Sequence, residues 1–593
     1  MLLTNRFLLQ KTGEAFECPD PDRSYSPMNS SVGLLSRAGE KGIGAAVLHY
    51  NRSTRVLFET TIETDLPYNA LASDITGLIC GNGVLSLHFY EKNAFSVFMR
   101  SDRNIRLFTG PSGSTAQFWF DGKTDGISYF YGFSKNGDDR DPDEFVPFCI
   151  AILEQKGYIS QIDGTLAGVP KDGELVFHAV LRFLDPDRQE MRACLRRAPR
   201  TAEDAAARTA EWLADAARDL SLRIPDTVSP NAIRSSLIGI LMNLTAAEGS
   251  LSRHLSAFPS RGEYPTHFLW DTCFQNLLYE QLNADIAKDL LLQNADLQRE
   301  DGKLGQFLCS TWVRPHDTQP ALLGWAALRL IKKTGDQAFA EKILPAIEKN
   351  NQWWTAQRIT DIGLISTRGG LETGQDNSPR FDRGPTIAAD MNAYLLDQFH
   401  AAAQIAAFIG DKDKADAWKK KAEAFAKLIR DYLYDAEEGL FFDILPSSLE
   451  PVRVVSPSAL LPIWAGGVLT DGEAKAAIKK QLLAPEIMFG AVPFPSVAYN
   501  DPTYRSNDWW RGPTWMPMAW LMLECLMRYG FYKEARIAAQ RLCDTVEKDG
   551  VMHELFDSRT GEGMGAAQQG WTCAVYAALL RLLSSDGAEY PVL

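Results

Sequence analysis

Residues 371–384 read LETGQDNSPRFDRG and set Glu372, Asp376, Asn377, Pro379, Arg380 and Arg383 among two glycines, with neither a helical nor a strand period. A solvated turn accounts for the glycine, asparagine and proline. It accounts less well for the aromatic surroundings, or for three segments of the same kind: RGEYPTHFLWD, VPFPSVAYNDPTYRSNDWWRGPTW and MHELFDSRTGEGMGAAQQGW. Together these loops offer carboxylates, Arg, Trp and amides, but few nucleophiles beside a base. Paired carboxylates are therefore the leading chemistry. Asp376 sits between Gly374 and Pro379, and Glu554 follows His553 just ahead of a glycine-rich turn. Such a pair suits cleavage of a glycosidic bond. One carboxylic acid protonates the leaving oxygen, while an ionised partner attacks carbon or activates water. An aromatic, partly dehydrated pocket raises the pKa of the acid and keeps its proton available near neutrality.

Other chemistries find less support. The eight histidines form no His-Cys-Asp cluster at metal-ligand spacing, so the proposed chemistry calls for no metal and no cofactor. His267, His316 and His553 fall in or near the loops and read as hydrogen-bonded structural groups. Cys273, in LWDTCFQNLL, reads as inert core. No glycine-rich loop follows a strand and opens a helix, which leaves nucleotide binding without a motif.

The formal charge of −14 disfavours a nucleic-acid partner and an anionic membrane surface. Fourteen tryptophans fit a chain that needs broad apolar faces in its core and in a sugar pocket. Nine cysteines stand singly with no C-x-x-C pair, as expected of reduced thiols. The N-terminus MLLTNRFLLQKTGEAF lacks the basic-then-apolar run of a signal peptide, and no apolar run reaches membrane-spanning length. The reading is a cytoplasmic protein with a small carbohydrate as its partner.

Two periodicities organise the chain around these loops. Residues 1–200 carry short runs rich in Val, Ile, Phe and Tyr, such as GVLSLHFY and ELVFHAVLRF, between Gly, Asp, Asn and Pro clusters, which predicts a β-sandwich. Residues 201–228 open with TAEDAAARTAEWLADAARDL and read as a linker helix. From 229 to 593 about twelve helical segments follow: 229–247, 270–283, 284–300, 317–334, 336–358, 387–410, 412–434, 456–467, 471–482, 512–530, 532–548 and 566–585. Twelve helices without a regular repeat fit a toroid of six hairpins, the (α/α)6 barrel, and also a generic bundle. The expected class is α+β multidomain, and the loaded connections would converge on one face of the toroid. The N-terminal sandwich could serve as a lid or as the contact of a homo-oligomer.

FLWDTCFQNLL, QPALLGWA, LETGQDNSPRF, DWWRGPTWMPMAWLML and HELFDSRTGEGMGAAQQGWTCAVYAALL occur in the order seen in glycoside hydrolase family 63. The chain resembles that family over about 260–585, and trehalases share parts of the pattern. The resemblance implies an N-terminal β-sandwich joined to an (α/α)6 barrel and an inverting, exo-acting α-glycosidase. It places the general acid on Asp376 and the general base on Glu554, with Glu562 of the same loop as the alternative base. It places Trp270, Asp271, Trp510, Arg511 and Trp515 in the sugar pocket, and Gln319 and Trp571 in matching motifs. The chain departs from the family at Thr373, where Ser is common, and at Gln375, where a bulkier or apolar residue is common.

Each residue also has a structural alternative. Asp376 would cap a turn and Asp271 the helix that follows it. Glu372 divides between support and substrate contact. Arg511 would pair with a catalytic carboxylate, bind substrate, or clamp loops. Of Trp510 and Trp515, one is expected to face the pocket and the other the core. Arg380 and Arg383 read as clamps of the opening loop. The implied substrates are α-glucosides, α-mannosides and solutes such as glucosylglycerate or mannosylglycerate. A phosphorylase, a lyase, and an inactive sugar-binding protein are the rival readings.

Overall fold

The computed structural model describes the strands and some connecting turns between residues 2 and 183, then residues 188–226, 228 and 230–585 apart from short breaks at 246–250, 252, 261–262, 265, 309–312 and 315–317. His316, Cys18 and Cys309 lie outside the described residues. The chain is a mixed helix-and-sheet protein with its sheets in the N-terminal region.

Two antiparallel sheets occupy that region. In spatial order the larger runs Thr115–Thr124, Ile127–Lys135, Phe145–Lys156, Leu175–Phe183, Ala94–Ser101, Leu85–Glu91, Gly77–Cys80, Leu71–Asp74 and Phe16–Glu17. The smaller runs Tyr158–Ile162, Thr165–Val169, Ile105–Thr109, Arg55–Ile62, Ile43–His49, Val32–Ala38 and Ser24–Tyr25. Phe95, Val97, Phe148, Ile150, Phe177 and Leu181 bury the centre of the larger sheet. The two sheets touch closely at Gly168, where a Cβ would stand 2.7 Å from Leu175 Cδ2. Helix α1 spans Arg188–Arg197 and α2 spans Ala202–Ala216. Thr201 caps α2 by accepting from Asp204 N–H, and Thr209 donates to the carbonyl of Phe89 at 3.0 Å, which docks α2 on the larger sheet.

Beyond residue 229 every expected segment contains a helix. They are α3 (Pro230–Met242), α4 (Leu269–Leu282), α5 (Ala284–Asp296), α6 (Leu323–Thr334), α7 (Gln337–Gln357), α8 (Ala389–Phe408), α9 (Lys412–Leu433), α10 (Leu461–Ala465), α11 (Asp471–Ala477), α12 (Met516–Arg528), α13 (Tyr532–Asp549) and α14 (Gly570–Ser584). Composition separates them into two kinds. All of α4 is buried, as is nearly all of α12 and α14, while α9 buries only the stripe Trp418, Ala422, Phe425, Ala426, Ile429 and Leu433. A helix apolar all round belongs inside, and one with a single apolar stripe belongs on the outside. The inner set packs in a cycle: α4 on α6, α6 on α8, α8 on α10, α10 on α12, α12 on α14, and α14 back on α4. Strand Leu2–Thr4 pairs with Ser221–Arg223, which packs on α14, so the hydrophobic core is continuous from the sheets into the helices. Among the described residues no helix is long and apolar enough to cross a membrane.

Candidate active site

A pocket of about 170 Å³ opens where the loops before the inner helices converge. Its walls include Asp376, Glu554, Trp270, Asp271, Gln319, Trp510, Trp515 and Trp571, so eight of the residues marked in the sequence meet in one place. Glu372 and Arg511 do not line it. Glu372 accepts from the backbone N–H of Arg368 at 2.8 Å and pairs with Arg358. Of the two roles open to it, these partners are those of a residue that supports the loop from behind. Arg511 pairs with Asp382, likewise away from the pocket carboxylates.

Glycine packing sets the Asp376 loop. A one-turn helix at Gly370–Thr373 ends on Gly374 in the left-handed region (φ +73°). The chain then folds back so closely that a Cβ on Gly370 would stand 2.6 Å from the carbonyl oxygens of Gln375 and Asp376. Behind the turn, Arg380 is buried between Asp390 and Asp443 and donates to Gln375 Oε1 at 3.0 Å, while Gln375 donates to Asp390 and Ser458. Arg380 is thus the clamp its position suggested, and the polar Gln375 is a member of a satisfied buried network. Arg383 pairs with Glu450 at the surface. On the other side, Asn377 accepts from Trp510 N–H at 2.8 Å and donates to Asp508 at 2.9 Å, tying the acid loop to the tryptophan loop. Asp376 remains solvent-accessible, and nothing among the described residues hydrogen-bonds its carboxyl. The crowding of the pocket walls still pushes that carboxyl above the ordinary range.

Glu554 lies deeper, 3% exposed. The strand Leu555–Phe556 returns through Gly563–Met564 to Gly565, whose left-handed φ of +74° and lack of a Cβ allow the backbone to pass against the Glu554 carboxylate. That approach lets Ala566 N–H donate to Glu554 Oε2 at 3.0 Å. Tyr264 adds its hydroxyl to the same oxygen at 3.2 Å, and Trp571 Nε1 donates to the Glu554 carbonyl at 3.0 Å. Oε1 has no partner among the described residues. Burial pushes the Glu554 carboxyl up to about 7; the Ala566 and Tyr264 donors pull it down, and the charge of Asp376 raises it. Glu562 is exposed at the hairpin tip and does not line the pocket, so of the two only Glu554 shares the pocket lining with Asp376.

Asp271 is a third pocket carboxyl, in the first turn of α4 and raised well above its ordinary value by burial and then by Glu554. Gln319 lends its Oε1 to Trp270 N–H at 3.0 Å, an N-terminal cap supplied by another loop. Trp510 and Trp515 are stacked with centroids 3.8 Å apart, and both are almost fully buried. The half-buried face belongs to Trp509, which lies in the DWWRGPTW segment but was not singled out within it, and which holds φ +39° at the pocket wall. A non-glycine residue in that region is a strained one, and strain of this kind clusters at sites. Tyr264, Phe268, Phe307, Gln306 and Gln569 also line the pocket, and the sequence did not single them out. The dense aromatic character of RGEYPTHFLWD was the available signal for Tyr264 and Phe268. His267 faces Asn294 and Ala257 N–H inside the core and stays neutral, its pKa lowered by burial to about 3. Among the described residues no group of His, Cys, Asp and Glu is arranged to hold a metal.

The model of the mannosylglycerate hydrolase MGH1-like glycoside hydrolase domain matches residues 264–572, just over half of the chain and all of the pocket loops except its first lining residue, Pro259. The chain belongs to this family. It is a glycoside hydrolase, in line with the resemblance to glycoside hydrolase family 63. The mannosylglycerate hydrolase MGH1 of Selaginella moellendorffii is 24% identical to this family member over 410 residues, covering 54% of the present chain and 81% of its own. The mannosylglycerate hydrolase of Thermus thermophilus, solved with Tris and D-glycerate, is 20% identical with a TM-score of 0.53, covering 58% of the present chain and 99% of its own. A bacterial glucoamylase solved with acarbose is 13% identical, but it matches in fold over 96% of this chain and 95% of its own with a TM-score of 0.59. The last likeness extends through the sheet region, where the family model does not reach.

Proposed function

We propose that this hydrolase is an inverting, exo-acting α-glycosidase that releases a terminal glucosyl or mannosyl unit from a small hydroxy-acid aglycone of the glycerate type. The observation that carries it is that Asp376 and Glu554 line one aromatic pocket, close enough for the charge of Asp376 to act on Glu554, with Glu554 Oε1 unpartnered among the described residues. Asp376, at the accessible mouth, protonates the departing oxygen. Glu554, whose Oε2 is fixed by two donors, uses Oε1 to take a proton from water that attacks the anomeric carbon from the opposite face. Before substrate binds, the proton favours Glu554, raised to about 7. The pair titrates as a unit, and the productive arrangement is the same singly protonated pair with its proton on Asp376. Substrate favours that arrangement, because it covers Asp376 from water and brings a water donor to Glu554.

The names of the relatives support the aglycone, and the pocket's small volume supports a terminal sugar over the interior of a polymer. We read residues 1–200 as a β-sandwich, 201–228 as a linker, and 229–593 as an (α/α)6 barrel. The closed cycle of inner helices and the glucoamylase likeness support that division. Trp270, Asp271, Gln319, Trp510, Trp515 and Trp571 are read as substrate-binding, and the site of action as the cytoplasm. The test is to supply α-mannosylglycerate, α-glucosylglycerate, maltose and trehalose and to follow release by time-resolved NMR. The expected result is a glycosylglycerate as best substrate with the β-anomer appearing first. First release of the α-anomer would overturn inversion, and preference for the disaccharides would overturn the aglycone.

A further inference from the structure

Trp515 stands at the start of α12 in the active pocket, and Arg528 closes the other end of the same helix, roughly 20 Å away at 1.5 Å per residue. At that far end lies a second cavity of about 190 Å³, enclosed by α6, α8, the end of α10 and Arg528. Asp397 lines it at 8% exposure, and no donor among the described residues reaches its carboxylate. Arg528 shares the cavity without forming an ion pair with Asp397. It is held instead by donating to the Ala465 carbonyl at 3.2 Å. Its guanidinium occupies the space a side chain on Gly466 would need, and Gly466 and Gly467 both hold left-handed φ, +82° and +77°. Trp325, Leu328 and Ala401 form an apolar wall, and Gln404 stands at the mouth.

We propose that this rear cavity binds a small neutral polyol or monosaccharide, with a vicinal pair of hydroxyls donating to Asp397 and a hydroxyl oxygen accepting from Arg528. A buried polar group is normally satisfied, and an acid and a guanidinium in one cavity without mutual contact leave an acceptor and donors for the same ligand. The two charges offset each other, which favours a neutral guest over an ion. The apolar wall takes the C–H face of the ligand, as small-molecule sites do. Burial pushes the Asp397 carboxyl up to about 7, as expected of an acceptor whose donors are yet to arrive. The site is independent of the reaction proposed for the front pocket.

The experiment is crystallography of the full chain with D-glucose and separately with glycerol, accompanied by NMR titrations of the wild type, Asp397→Asn and Gln404→Ala. Expected are an ordered polyol bridging Asp397 and Arg528, and rear-site binding weakened roughly tenfold or more in each variant with kcat/KM unchanged. Gln404 is at the cavity mouth and not in the core, so its variant tests the site even if Asp397→Asn fails to fold. Ordered water alone in the rear cavity while sugar fills the front pocket would overturn the proposal. So would rear-site binding that neither folded variant alters.

Discussion

Tyr264 donates its hydroxyl to Oε2 of Glu554 at 3.2 Å, joining side chains 290 positions apart. The bond opposes the effect of burial, which raises the Glu554 carboxyl, and together with the Ala566 N–H it fixes the Oε2 end of the carboxylate. Tyr264→Phe removes the donor, so the Glu554 pKa rises further above about 7. The reactive form is the pair carrying one proton, so the basic limb of kcat/KM, where that proton leaves, moves to higher pH. The proton also shifts further onto Glu554, and activity at pH 6 falls by about three- to tenfold with little change at pH 8. A pH profile in which that limb stays in place would remove Glu554 from the role of base.

The two carboxylates separate by their response to the leaving group. Asp376→Asn slows an unactivated α-glycoside by about 10²–10⁴-fold but slows an aryl glycoside with an acidic phenol far less, since that group departs without a proton. Glu554→Gln slows both to a similar degree. Steady-state kinetics on the pair of substrates reads this directly, and the opposite pattern would exchange the two roles.

Stability carries a second signature of Glu554. Its folded pKa of about 7 lies above the ordinary 4.5, so the folded chain retains a proton that the unfolded chain gives up. The resulting contribution is complete below pH 4.5 and is lost as pH rises through 7. Glu554→Gln keeps the shape without the charge. It should match the wild type near pH 4 and exceed it at pH 8 by on the order of 2 kcal/mol, seen as a higher Tm. Equal melting curves at pH 8 would contradict the burial argument.

Away from the pocket, Glu524 ties three inner helices together. Its carboxylate accepts from the indoles of Trp325 at 3.2 Å, Trp464 at 2.9 Å and Trp520 at 3.0 Å, and from Arg329 at 3.1 Å. Glu524→Gln turns an amide N–H toward an indole N–H and leaves Arg329 without this anionic partner. The expected loss is about 3 kcal/mol in urea unfolding, with kcat of the folded protein preserved. A loss below about 1 kcal/mol would show that the core readjusts around the amide.

The periodicities of the sequence carried most of the secondary structure. Strand runs before 183, the Ala-rich helix after 201, and the helices beyond 229 follow from local patterns that neighbouring residues impose on one another. The carboxylate loops were legible as well, because glycine, proline and aromatic density marks them whatever the chain does around them. What local pattern could not assign was direction. Trp509, Trp510 and Trp515 are chemically alike, and the positive φ at Trp509 together with the stacking of the other two put Trp509 at the more open face. Glu372 and Arg511 carry the right charges but found closer partners in Arg358 and Asp382.

By itself, then, the sequence determined most of the segments that become strand, helix and loaded loop, because helical and strand periods, caps and turn residues act over a few positions. It did not mark helix α1 within 1–200 or the strand Ser221–Arg223 within 201–228. Only the tertiary structure decided that Tyr264, Asp271, Asp376 and Glu554 share a cavity, and that Glu554 is the glutamate of its loop that faces it. Burial and proximity set the pKa of a carboxyl and the partner of an arginine. Both depend on contacts between residues that lie far apart in the chain.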